Sequence, residues 1–251
     1  MFNPEKETPK TESENKETES ENKVPFSGEL KMADFGKQTS RETIRELENR
    51  PDLLIRKDDL ERFAKKERAP EVYKKGERLF AELREKYDIP VPRMQFVIGK
   101  DEAGRETLYT IIQKVEGENV EDILQARKND PEFKNKLEDV YVNLTRYFGD
   151  KHKNGVNFLW DFHNAQFVYG KLESDKENNV YMVDVDPALN EAGYYNRIFI
   201  NRISGMILDA EERLGVKFLK AREEFKKMFD SLSPQDRKDF LTSEILSLLK
   251  G

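Results

Sequence analysis

The sequence predicts an α+β chain in two parts, a sheet-rich first part and a helical second part, preceded by a charged tail. Three observations carry that expectation. Short β-rich runs bounded by proline and glycine lie between Arg50 and Val115. Apolar residues at helical spacing dominate after Val120 and enclose only a small hairpin. The first 23 residues have almost no apolar side chains. The boundaries that follow are 1–23 for the tail, 24–116 for the sheet-rich lobe and 117–251 for the helical lobe.

The tail holds seven Glu and four Lys, a charge of −3 against −6 for the whole chain. Thr11-Glu12-Ser13-Glu14-Asn15-Lys16 recurs as Thr18-Glu19-Ser20-Glu21-Asn22-Lys23. A segment this polar buries too little surface to offset the entropy of ordering, so disorder is expected. Its seven-residue period lacks the apolar a/d pair of a coiled coil. A solvated tail with no specific partner is the simpler reading, and a tether or regulatory arm is the other.

Leu53-Leu54-Ile55 follows the turn-prone Arg50-Pro51-Asp52 and reads as a strand. Ala69-Pro70-Glu71 resembles a helix start, with proline in the first turn and an acid near the positive end. Val72, Leu79, Phe80 and Leu83 continue its apolar face, and Pro90-Val91-Pro92 must end it. Met94–Ile98 and Leu108–Val115 are two strands joined by a loop from Gly99 to Gly104. After Glu116-Gly117-Glu118 the pattern turns helical, with one face formed by Val120, Ile123 and Leu124. A longer one is formed by Phe133, Leu137, Val140, Tyr141 and Leu144. Phe167-Val168-Tyr169 and Val180–Val183 are short strands around a polar loop, and helices fill the chain from Tyr194.

Composition excludes several chemistries. With no cysteine and only His152 and His163, thiol catalysis, disulfides and multi-histidine metal sites are out. A mean hydropathy of −0.86, with no long apolar run, gives no membrane span. The N-terminus has neither the basic nor the apolar region of an export signal, so a soluble, cytoplasmic protein is expected. The interspersed charges and the net −6 argue against nucleic acid as a partner. Gly36-Lys37-Gln38-Thr39 fails as a P-loop, because Lys31 stands where the first glycine belongs and Gln38 where Ser or Thr belongs. No Gly-x-Ser-x-Gly elbow or Gly-x-Gly-x-x-Gly fingerprint is present.

The informative stretch runs from Trp160-Asp161-Phe162-His163-Asn164-Ala165-Gln166 through the two short strands to Val183-Asp184. An acid on a loop, a hairpin, and an acid at the second strand's end can aim two carboxylates at one point. Phosphoryl transfer uses such a pair, one to orient the attacking hydroxyl and one to hold Mg²⁺. The structural alternative is that both aspartates cap loops. His163 is read as a brace for the loop and Trp160 as core.

This unit resembles the protein-kinase-like superfamily, closest in pattern to its aminoglycoside-phosphotransferase-like branch, whose catalytic loop reads Asp-x-His-x-x-Asn. Asp161 and His163 match that motif, and Asp184 matches the branch's metal-binding Asp. Ile89-Pro90-Val91-Pro92 and Gln113–Glu118 resemble the segment after its regulatory helix and the hinge between its lobes. The resemblance implies a two-lobed kinase-like fold and a phosphotransferase that uses ATP and Mg²⁺, with an unknown hydroxyl-bearing acceptor. It implies Asp161 as the catalytic base, Asp184 and Gln166 as metal ligands, and Lys57 as the phosphate contact. Glu77 would partner Lys57, with Glu71 as the runner-up. Arg56 stays open beside Lys57, because a one-residue slip exchanges the two faces of a strand.

Two departures accompany the resemblance. The loop over the phosphates falls near Asp34–Ser40, where Gly36 is the only glycine. Gln166 stands where the family has asparagine, and Asn164 stays open as a contributor in its place, though its register is wrong for the family role. These departures support the alternative of a pseudokinase, a binding or scaffold module on the same fold. A third reading, a helical interaction protein, requires that Leu53–Lys57 and Leu108–Val115 are not paired strands.

Overall fold

Leu53, Ile55 and Lys57 project to one side of a strand while Leu54 and Arg56 project to the other, and that alternation organises the first sheet. The computed structural model describes residues 35–38, 44–47, 50–58, 67–101, 103–155, 163–183 and 196–250. Strands β1 (Phe35–Gln38), β2 (Ile44–Leu47), β3 (Arg50–Asp58), β4 (Met94–Lys100) and β5 (Glu106–Gln113) form an antiparallel sheet in the order β1-β2-β3-β5-β4. Pairing of Leu53 with Gln113 and Arg56 with Thr110 removes the helical-interaction reading, since both segments are strands of one sheet. The tail at 1–23 lies outside the described residues.

Helix α1 (Ala69–Tyr87) has its proline in the first turn, as the sequence predicts, and ends where Asp88 adopts a left-handed conformation at φ 51°. It packs on edge strand β4. The Tyr73 ring stacks on Phe96 at 5.3 Å, and Glu77 Oε1 accepts the Phe96 backbone N–H at 2.8 Å. That bond pairs an amide on the sheet's free edge, one way a fold blunts an open strand.

A second antiparallel sheet contains β6 (Glu116–Asn119), β7 (Phe167–Lys171) and β8 (Asn179–Met182), with β7 in the middle. Strand β6 falls on the segment read as hinge and helix approach. Its sequence, Glu-Gly-Glu-Asn, has no β-favouring side chain, so local pattern gave no sign of it. Its glycine explains how it pairs. A Cβ on Gly117 would lie 2.2 Å from the Tyr169 carbonyl oxygen, and one on Gly170 would lie 2.2 Å from the Glu116 carbonyl oxygen. The two glycines face each other in register, so the backbones approach closer than any side chain permits.

Six helices complete the described fold: α2 (Val120–Ile123), α3 (Pro131–Lys153), α4 (Asn196–Leu214), α5 (Leu219–Ser231), α6 (Pro234–Phe240) and α7 (Ser243–Leu249). Asp130 caps α3 by accepting the Phe133 N–H at 3.0 Å, and the face predicted for this helix is buried throughout. One apolar core takes in α1, α3, α4, α5 and the β7–β8 hairpin. The Met182 N–H also donates to the Pro90 carbonyl at 2.8 Å, tying that hairpin to the connection between α1 and β4. Among the described residues no helix is long and apolar enough to cross a membrane.

Candidate functional site

The segment His163–Gln166 enters the second sheet as a single 3₁₀ turn, Asn164–Gln166. Such a turn satisfies little of its own backbone, so its position depends on bonds from outside. Each residue after His163 receives one. The Asn119 side-chain amide donates to the Ala165 carbonyl at 2.7 Å while its oxygen caps α2. The Val183 N–H donates to the Gln166 carbonyl at 2.9 Å. Asn164 Oδ1 accepts the Tyr141 hydroxyl at 2.7 Å, and its Nδ2 donates to Asp209 Oδ2 at 3.1 Å.

Burial and the nearby negative charge of Asp209 push the Tyr141 hydroxyl well above its ordinary pKa, so it stays a donor. Asn164 and Gln166 are both buried, at 4% and 7% exposure. Both ends of the Asn164 amide are therefore used in holding the turn.

The bond from Val183 to Gln166 joins the ends of the unit chosen from the sequence. Gln166 lies directly opposite the residue that precedes Asp184, and Phe167 pairs with Met182 beside them. Asp161, Asp184 and Trp160 themselves lie outside the described residues. Among the described residues no group of three or more His, Cys, Asp or Glu side chains is arranged to hold a metal. An amide oxygen from Gln166 and a carboxylate from Asp184 would together be a donor set of the hard oxygen type that suits Mg²⁺.

The first sheet separates residues that the sequence grouped. Arg56 lies opposite Thr110, and Thr110 lies opposite Phe96, the residue stacked on α1. Lys57 lies opposite Tyr109, which lies opposite Val97, on the face packed with Leu47, Leu53, Ile55 and Ile111. The pleat thus turns Arg56 toward α1 and Lys57 away from it. Lys57 Nζ instead reaches Asp101 Oδ2 at 3.4 Å. Asp101 is buried in the β4–β5 turn, where it accepts the backbone N–H groups of Ala103 and Arg105 and the Arg105 side chain. Glu77 shares the face of Arg56, not that of Lys57, and one of its oxygens holds the Phe96 amide. The pairing of Lys57 with Glu77 expected from the sequence is therefore replaced by Lys57 with Asp101. Glu71, the runner-up, sits one turn from Lys75 and bonds to it at 3.1 Å on the solvent side of α1.

Gly36 belongs to strand β1, which pairs with β2, and does not lie in an open loop. The connection between those strands, 39–43, lies outside the described residues. The residues that hold this turn and that sequence reasoning missed are Asn119, Tyr141 and Asp209. Asn119 carries a weak signal as a helix N-cap, but nothing local marks the other two.

No protein-family model matches the chain, and no curated protein matches it. Among solved structures, one described as WaaP in complex with acyl carrier protein is similar at a TM-score of 0.45 and 14% identity, over 85% of each chain. A likeness at that level leaves the chain's function to its own residues.

Proposed function

We propose that the protein is a phosphotransferase of two-lobed kinase-like architecture, moving the γ-phosphoryl group of ATP to a hydroxyl in a Mg²⁺-dependent reaction. The observation that carries the reading is the hydrogen bond from Val183 to Gln166. It closes the β7–β8 unit so that the chain running back to Asp161 and the chain running on to Asp184 start from adjacent points. Asp161 orients the acceptor hydroxyl and takes its proton. Asp184 and Gln166 hold Mg²⁺, which supplies charge neutralisation at the phosphates. Arg56 takes the phosphate contact that the sequence offered to Lys57, because it shares the α1 face of the sheet. The acceptor is a hydroxyl-bearing protein side chain or small molecule.

The test is the melting temperature with and without Mg·ATP, beside Asp184→Asn. Ligand at a hundred times its dissociation constant stabilises by about 2.7 kcal/mol. The expected result is a Mg²⁺-dependent rise that the variant lacks. No rise at millimolar Mg·ATP would refute the reading.

The single glycine in the Asp34–Ser40 segment and Gln166 in place of asparagine favour a second reading, a pseudokinase that serves as a binding or scaffold module. It predicts a melting shift with nucleotide but no phosphoryl transfer, to water or to any acceptor.

A further inference from the structure

We infer that the cavity between the α1–β4 connection and the β7–β8 hairpin binds a small organic phosphate, with its anionic head between Arg84 and Arg93. The cavity has a volume of about 540 Å³, a size usual for small-molecule sites. The inference stands apart from the phosphotransferase reading, because neither arginine is assigned there to nucleotide, metal or acceptor.

Hydrogen bonds fix the walls. The Arg93 N–H donates to Gln113 Oε1 and the Gln113 N–H donates to the Arg93 carbonyl, both at 3.0 Å. The bond from Met182 to the Pro90 carbonyl holds the hairpin against the α1–β4 connection. Within the hairpin, Asp175 Oδ2 accepts the Leu172 N–H at 3.0 Å and the Tyr181 hydroxyl. The cavity is therefore built into the fold, as pre-formed binding sites are. Gln113 ends β5 and Tyr181 belongs to β8, so an occupant bridges the two sheets.

Two cations converge on this space. Arg84 Nη1 donates to the Val91 carbonyl at 3.4 Å, and its Nη2 stands 3.8 Å from Glu85. Burial lowers the Arg84 pKa, Glu85 raises it, and the neighbouring Arg93 guanidinium lowers it again. Among the described residues the half-buried Arg93 guanidinium has neither a carboxylate nor a hydrogen-bond partner. Arginine does not relieve such crowding by losing its proton, so an entering anion does. Asp88 and Asp175 also line the cavity. Asp175 is taken up by the bonds of its own hairpin, including one from the Ser174 hydroxyl, and Asp88 is exposed, where water screens its charge. A phosphate dianion matches two guanidinium forks in charge and in geometry. A bare phosphate leaves most of the volume empty, and Pro90 and Leu172 offer apolar surface to an organic body.

The experiment is calorimetric titration of the full chain with phenyl phosphate and with inorganic phosphate, without nucleotide or Mg²⁺ and at ionic strength held constant with potassium chloride. Wild type should bind phenyl phosphate, and more tightly than inorganic phosphate. Arg93→Gln keeps the backbone bonds to Gln113 and should fold as wild type, yet lose about 10- to 100-fold in affinity. Arg84→Gln should lose a similar factor. Arg56→Ala should bind phenyl phosphate as wild type does.

No heat of binding at millimolar phenyl phosphate overturns the inference, as does an unchanged affinity in Arg93→Gln. Equal affinity for the two probes refutes the organic body. Binding lost in Arg56→Ala and kept in Arg93→Gln places the anion at the other sheet face and refutes the site. Should Arg84→Gln fail to fold, Arg93→Gln decides alone. Binding of phenyl phosphate that Arg93→Gln weakens, in a chain with no Mg·ATP melting shift, removes the phosphotransferase reading and supports this site.

Discussion

Replacing Gly170 by alanine tests the second sheet at its tightest point. The added Cβ would lie 2.2 Å from the Glu116 carbonyl oxygen, 2.6 Å from Gly117 Cα and 2.8 Å from the Glu116 carbonyl carbon. All three neighbours are backbone, so no rotamer change relieves the contact. To reach ordinary van der Waals distance the strands must part by roughly 1 Å, which lengthens adjacent ladder bonds beyond a useful hydrogen bond. Two ladder bonds at about 1 kcal/mol each, with residual overpacking of about 1–2 kcal/mol, give a cost of about 3–4 kcal/mol. For a chain of this size each kcal/mol moves Tm by about 2–4 °C, so a fall on the order of 10 °C is expected. Thermal unfolding followed by circular dichroism measures it. Gly205→Ala is the control: Gly205 lies within α4 and nothing is within 4 Å of its added Cβ. There alanine should stabilise by about 0.5–1 kcal/mol through helix propensity. Equal effects at the two positions, or a Gly170→Ala protein that melts with wild type, would refute the close-approach argument.

The basic residues of β3 make a second test. Arg56→Ala should abolish the Mg·ATP melting shift while Lys57→Ala keeps it, and the reverse pattern would return the phosphate contact to Lys57. Lys57→Ala should itself cost little, about 0–1 kcal/mol, because its partner is reached at 3.4 Å by a half-exposed side chain. A third test is acid unfolding. The Arg105 backbone amide, with its side chain and the Ala103 amide, holds the Asp101 carboxyl at about 2, below its ordinary 3.8. A depressed carboxyl contributes stability that is full above its unfolded-state pKa and is lost as pH falls through the folded one. Wild type should therefore lose more Tm than Asp101→Asn between pH 4 and pH 2, and parallel acid limbs would contradict the assignment.

Much of the fold was legible because it is written in local pattern. Pro70 and Pro90 bracket α1, and the apolar face from Phe133 to Leu144 marks α3. The apolar runs of β3 and β5 lie in the sheet as read, with Leu53, Ile55, Leu108, Tyr109 and Ile111 buried. The hairpin from Phe167 to Met182 was equally legible, since each strand is apolar enough to read without its partner.

By itself, the sequence determined the helices with strong apolar periodicity, the apolar strands, and Asp161 with Asp184 as the candidate acids. Tertiary structure alone decided what depends on distant partners. The short charged strand β2 and the glycine-bearing β6 exist because neighbouring strands take up their amides. Which of Arg56 and Lys57 shares the face that α1 covers follows from packing, and a strand carries no mark of its outer and inner side when both residues are basic. The bonds from Tyr141 and Asp209 span 23 and 45 residues to reach Asn164. No periodicity records such separations, because the side chains meet only after helices α3 and α4 have packed into the common core.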